Sequence, residues 1–153
     1  MNYAVILPTL RVGPNPVDEQ DFEELKELGI TAILSLQSAE DVAPGRDRAR
    51  AASLGLVHRN IAILDFDCED LQKKLPRCVE ILDELLKAGH SVYMHCTAGV
   101  SRSPTVAAAY LHWSLDMPLE RALEHVCASR NCSPNRDAIL KSERAANITG
   151  RQR

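Results

Sequence analysis

Cys96 and Arg102 stand six positions apart in the stretch His95-Cys96-Thr97-Ala98-Gly99-Val100-Ser101-Arg102-Ser103, with Gly99 midway between them. The cysteine thiolate is a strong nucleophile. A guanidinium grips two oxygens of one tetrahedral oxyanion at once, a geometry that lysine does not reproduce. Together they suit attack on the phosphorus of a phosphate monoester. The apolar run 91–94 leads into this stretch and a helix-like run, 104–115, leads out of it. The segment therefore reads as strand, tight loop and helix N-terminus. In such a loop the backbone amides from Thr97 to Arg102 converge on one point, and the helix dipole adds positive potential there. Thr97, Ala98, Gly99, Val100 and Ser101 are thus expected to bind the phosphate. Ser103 is placed to hydrogen-bond the Cys96 sulfur and help it leave a phosphoenzyme. His95 is expected to orient the loop through a hydrogen bond rather than to move protons.

Expulsion of an alkoxide needs a general acid, which typically supplies about 10²–10⁴-fold. Asp65, Asp67 and Asp70 lie upstream, in a loop expected between a strand and a helix. Asp70 reads best as a helix cap, which leaves Asp65 and Asp67 as candidate acids. The amides and the guanidinium neutralise the phosphate charge, so no metal or cofactor is expected. No Cys/His spacing matches a zinc site either.

The elements that must position these groups follow from the rest of the 153 residues. Short strands are expected at 3–6 and near Val12, then a helix capped by Asp18 and stopped by Gly29. Residues 31–36 form an apolar run of strand length. A helix over 47–54, a strand over 57–64 and a helix over 70–88 come next. Pro76 is expected in the first turn of that helix, where its missing N–H costs nothing. Strand 91–95 precedes the loop. Helices over 102–115, 119–128 and 135–147 follow it, with a frayed tail at the end of the chain. Strands alternating with helices predict one compact α/β domain over residues 1–150, with a central, mostly parallel sheet flanked by helices. Residues 151–153 are assigned to the tail.

The net charge of −3 gives no reason to expect a nucleic-acid partner. No apolar run has membrane-spanning length, and the N-terminus lacks the basic and apolar regions of a secretory signal. The five cysteines, an odd count, suggest a reducing compartment, here the cytoplasm, and a monomer is expected. Cys78 falls on the apolar phase of a helix. Cys68 lies near the acid loop and could bridge to Cys96 under oxidation, although a simple thiol is the favoured reading.

The string HCTAGVSRSPT, residues 95–105, resembles the signature of cysteine-dependent protein tyrosine phosphatases, in particular the dual-specificity branch. That resemblance implies the tyrosine-phosphatase fold and a cysteinyl-phosphate intermediate. It assigns the acid to Asp65, 31 residues before Cys96, with Asp67 as the alternative. Three further segments are similar to glucan phosphatases of the laforin and plant starch-excess type. They are Leu64-Asp65-Phe66-Asp67 with Leu75-Pro76 after it, Ile33-Leu34-Ser35-Leu36-Gln37, and the run 129–139. The resemblance implies that Phe66 contacts glucan. Ser101, just before the signature arginine, instead matches phosphoprotein-directed enzymes, and the segment 38–47 has no aromatics. The expected substrate is therefore a phosphorylated protein (Tyr, Ser or Thr) or a phosphoglucan. Two other readings remain. One is a phosphatase for an inositol phosphate or phospholipid head group, disfavoured because Thr97, Ala98, Val100 and Ser101 add no basic residue. The other is a non-catalytic phosphate-binding module, disfavoured because the cysteine, arginine and acid are all present.

Overall fold

The computed structural model describes residues 1–43 and 45–146. Its elements run β1 (Ala4–Leu7), β2 (Leu10–Gly13), α1 (Glu19–Glu27), β3 (Ala32–Ser35), α2 (Arg46–Ser53), β4 (Val57–Asn60), α3 (Cys68–Lys87), β5 (Val92–His95), α4 (Arg102–Ser114), α5 (Leu119–Val126) and α6 (Arg136–Ala146). The strands form one sheet in the order β1-β2-β5-β3-β4. β1 is antiparallel to β2, and every other pairing is parallel. The expected α/β class and mostly parallel sheet are what the chain adopts.

β5 lies at the centre of the sheet, with Met94 in register with Val12 on β2 and Leu34 on β3. Strands covered on both faces must be apolar on both, and β3 and β5 are buried throughout. Successive side chains point to opposite faces. Ile33 and Tyr93 pack with Phe22, Leu25 and Ala51 under α1 and α2. Leu34 and Met94 pack on the other face with Leu75, Leu82, Val106, Leu111, Trp113 and Ile139 from α3, α4 and α6. α4 is buried along nearly its whole length, from Arg102 to Trp113. A central strand feeding a central helix gives the intervening loop rigid walls.

Three expectations are corrected. Pro76 sits in the ninth position of the twenty-residue α3, not in its first turn. Its ring removes a bond to the carbonyl four residues back. The helix continues because Leu71, Leu75, Cys78, Val79 and Leu82 all bury on one face. The cap of α3 is Asp67, not Asp70: the Asp67 carboxylate accepts the Asp70 N–H at 2.9 Å. Asp70 instead accepts the Leu64 N–H at 2.8 Å. The strand expected over 57–64 ends at Asn60. Beyond it, Ile61 and Ile63 still donate to Ser35 and Leu36 carbonyls, at 2.9 and 3.1 Å. These bonds lead the chain towards the loop over residues 64–67 without extending the ladder. The tail assigned to residues 151–153, and the expected last residue of α6, Asn147, lie outside the described residues.

Candidate active site

β5 ends at His95, and the next residue, Cys96, is buried at the mouth of the loop. Its sulfur lies 3.3 Å from the Ser103 hydroxyl, on the first turn of α4. The loop turns sharply at Gly99, where φ is +70°. A Cβ there would come within 2.5 Å of the Gly13 backbone, so both the turn and the close approach require glycine. The segment after β2 fastens the loop from this side. Asn15 donates its N–H to the Thr97 carbonyl at 3.0 Å, and the Tyr93 hydroxyl donates to the Pro14 carbonyl at 2.5 Å. His95 is fully buried, and burial pulls its pKa down to about 4, so it is neutral at neutral pH. Its Nδ1 lies 3.0 Å from the Cys96 carbonyl and must be the donor there.

Arg102, itself buried, is the hub of a polar network. Its terminal nitrogens meet Asp41 Oδ2 at 2.9 Å and Oδ1 at 3.1 Å, a two-pronged ion pair. They also donate to the Ile63 carbonyl at 2.8 Å and the Thr97 hydroxyl at 3.2 Å. That hydroxyl donates to Asp41 Oδ1 at 2.7 Å and accepts from Gln37 Nε2 at 3.0 Å. Hydrogen bonds from the Arg102 guanidinium, chiefly, hold the Asp41 carboxyl well below the usual carboxylate range. Arg102 Nε is buried and has no hydrogen-bond partner among the described residues.

Asp65 joins from the loop before α3, its Oδ2 3.3 Å from an Arg102 terminal nitrogen. Its other oxygen accepts the Phe66 N–H at 3.1 Å. Phe66 has φ +60° and is 99% exposed, so no described residue packs on it. Asp67 is engaged as the α3 cap. The structure therefore gathers Cys96, Ser103, Arg102 and Asp65 about one loop, while Phe66 stands free at the rim. Val100 and Ala98 are exposed, and the Ala98 carbonyl is held by Arg130 at 2.7 Å.

Sequence reasoning missed Asp41, Gln37 and Arg130. Asp41 stands 61 positions before Arg102 in a segment whose only sequence signal was the absence of aromatics. A long-range ion pair leaves no local pattern, so only the fold could reveal it. Beside this network a cavity of about 320 Å³ is lined in part by Gln37, Ser38, Asp47, His58 and Asn60. Gln37 Oε1, Asp47 Oδ2 and both His58 ring nitrogens are buried there without hydrogen-bond partners among the described residues. Burial lowers the His58 pKa from its ordinary value. The cavity thus carries buried polar atoms in a largely apolar wall, and it opens next to Gln37, which holds Thr97.

The sequence model of the family described as dual specificity phosphatase, catalytic domain, matches residues 15–143. Phosphoglucan phosphatase LSF1, chloroplastic, of Arabidopsis thaliana is 38% identical over 146 residues, which cover 91% of this chain and 24% of that protein. Human dual specificity protein phosphatase 22 is 34% identical over 131 residues, covering 85% of this chain and 66% of that one. The chain thus spans about a quarter of the first relative's length and under two thirds of the second's. Among solved structures, PTPMT1 superposes with a TM-score of 0.76 at 22% identity, over 97% of both chains, a likeness of fold. With a matching family model over most of its length, the chain belongs to the dual specificity phosphatase catalytic domain family.

Proposed function

We propose that this protein hydrolyses phosphate monoesters through a cysteinyl-phosphate formed on Cys96. The observation that carries the reading is that the first two residues of α4 join both halves of the site: Ser103 meets the Cys96 sulfur at 3.3 Å and the Arg102 guanidinium meets the Asp65 carboxyl at 3.3 Å. The loop backbone of Thr97, Ala98, Gly99, Val100 and Ser101, with the helix dipole, supplies fixed positive potential for the phosphoryl oxygens. In the first step the Cys96 thiolate attacks phosphorus. The bond to the leaving oxygen breaks, and Asp65 gives that oxygen its proton. In the second step water attacks phosphorus and Asp65 takes up its proton. The S–P bond breaks as the Ser103 hydroxyl hydrogen-bonds the departing sulfur. Apart from the attacking water, both steps use only protein groups.

The proposed substrate is a phosphoglucan or a phosphoprotein. Phe66 supports the first: an aromatic with no intramolecular partner, beside the acid, is free to cover the face of a sugar ring. The resemblance to LSF1, a phosphoglucan phosphatase by name, points the same way. The phosphoprotein reading rests on Ser101 and on the likeness to dual specificity protein phosphatase 22. The test is phosphate release from solubilised phosphorylated amylopectin, a phosphotyrosine peptide and an aryl phosphate, with wild type and Phe66→Ala. For a phosphoglucan enzyme, amylopectin turnover matches that of the aryl phosphate and falls selectively in the variant. Activity confined to the peptide and the aryl phosphate would assign the enzyme to phosphoproteins.

A monomer, and a cytoplasmic location inferred from the odd cysteine count, complete the reading. Among the described residues no helix is long and apolar enough to cross a membrane. Light scattering and imaging of the tagged protein test both proposals. A plastid signal, matching the designation of the Arabidopsis relative, would overturn the location.

A further inference from the structure

The connection between α5 and α6 holds a pair of cysteines that the proposed chemistry does not use. Cys127 is the C-terminal cap of α5, and Cys132 follows five residues later. Their sulfurs are 2.7 Å apart. Both side chains are half-buried, so a small molecule has access to them. A disulfide needs a sulfur separation of about 2.05 Å, so closure asks for less than an ångström of movement. The other thiols are disposed differently. Cys78 is sealed in the core, and Cys68 is exposed beside Asn135.

The residues from Cys127 to Ser133 also brace the phosphate-binding loop. Arg130 donates to the Ala98 carbonyl at 2.7 Å and to the Gly99 carbonyl, and through Nε to the Asn2 carbonyl at 2.8 Å. The Ser133 N–H donates to the Val100 carbonyl at 2.7 Å. Three consecutive loop carbonyls are thus held from one strap, and the cysteine pair closes that strap at its base.

We propose that Cys127 and Cys132 form a redox-active dithiol, closed to a disulfide by a small disulfide such as oxidised glutathione, which locks the strap against the loop. One thiolate of the pair attacks oxidised glutathione. A mixed disulfide forms, the glutathione S–S bond breaks, and one glutathione thiolate leaves. The second cysteine, as thiolate, attacks the protein sulfur of the mixed disulfide and expels the second glutathione thiolate. The protein loses two protons and two electrons, and one oxidised glutathione becomes two reduced molecules. Burial and the adjacent thiol push the Cys132 thiol up to about 12, so closure accelerates as pH rises above neutral. The site is separate from the Cys96 nucleophile and does not depend on what the enzyme hydrolyses.

The test uses the full chain carrying Cys96→Ser, which removes the catalytic thiol and leaves four cysteines. Treatment with oxidised glutathione is expected to remove two titratable thiols. Peptide mapping should find the Cys127–Cys132 link, restored to two thiols by a reductant. A Cys96→Ser/Cys132→Ser protein should show no such link. Amide exchange over residues 98–101 should slow in the oxidised protein and return on reduction. Four thiols still titratable after treatment, stable glutathione adducts without the link, or a link to Cys68 would overturn the site. A link formed with exchange in the loop unchanged would overturn the coupling.

Discussion

Arg102 does two jobs that pull against each other. In the proposed mechanism it must be fixed tightly enough to meet a phosphoryl group in one geometry, yet keep donors free for it. Asp41 resolves the conflict by taking the terminal nitrogens in a two-pronged pair and leaving Nε unpartnered. Because Asp41 titrates well below the usual carboxylate range, it keeps its charge throughout neutral pH. Asp65 is the weaker partner of the same guanidinium, at 3.3 Å, and its side chain reaches solvent. That freedom suits the proton-transfer role proposed for it. Asp65→Asn should lower kcat by about 10²-fold on an alkyl phosphate and far less on an activated aryl phosphate. Asp67→Asn should leave both rates near wild type, since asparagine caps a helix as well as aspartate does. Rates on the paired substrates decide it, and a larger defect in Asp67→Asn would transfer the acid role. At this scale the sequence was legible where chemistry is local. Cys96, Arg102 and Ser103 lie within eight consecutive residues and announce themselves by spacing. Asp41 did not, because its partner is 61 positions away and only the folded chain joins them.

Among the elements, α3 shows how tertiary packing overrides a local rule. A proline inside a helix costs about 3 kcal/mol. The helix runs through Pro76 nonetheless, because it carries seven buried residues on its core face. Pro76→Ala should restore an N–H where the helix can use it and raise the unfolding free energy by about 1–2 kcal/mol, after allowing for the greater freedom of the unfolded chain. Urea denaturation measures this. A less stable variant would show that the ring's packing outweighs its backbone cost. The same helix explains the misplaced cap. With aspartates at 65, 67 and 70, sequence alone does not choose among start points. The choice fell to Asp67 because Asp70 is needed to hold the Leu64 N–H and so fix the acid loop's entry. Central strands were easier to read. Their apolar runs match burial on both faces, whereas β4 at the sheet edge fades into irregular pairing after Asn60.

For the molecule as a whole, the buried site makes folding sensitive to acid. His95 is neutral when folded, with its pKa lowered by burial to about 4 from an ordinary 6.5. Its contribution is fully present above about pH 6.5 and is lost as pH falls towards 4, because the unfolded chain takes up the proton first. The loss should reach about 3 kcal/mol at full titration. Unfolding curves between pH 7 and pH 4 should show it, and a His95→Asn protein should lack most of that slope. An unchanged slope in the variant would place the acid sensitivity elsewhere. The wider architecture was legible because alternating strands and helices leave few topologies, and the signature loop fixes which strand is central. The strap from α5 to α6 was not, since backbone carbonyls held by Arg130 and Ser133 leave no trace in side-chain pattern.

The central claim is that phosphate passes through a covalent bond to Cys96. Acid quenching of the enzyme during turnover of a radiolabelled aryl phosphate tests it most directly, followed by mapping of the labelled peptide. The account predicts label on the peptide containing Cys96, discharged by water in native enzyme and absent in Cys96→Ser. Turnover with no protein-bound label, or label on another residue, would contradict it.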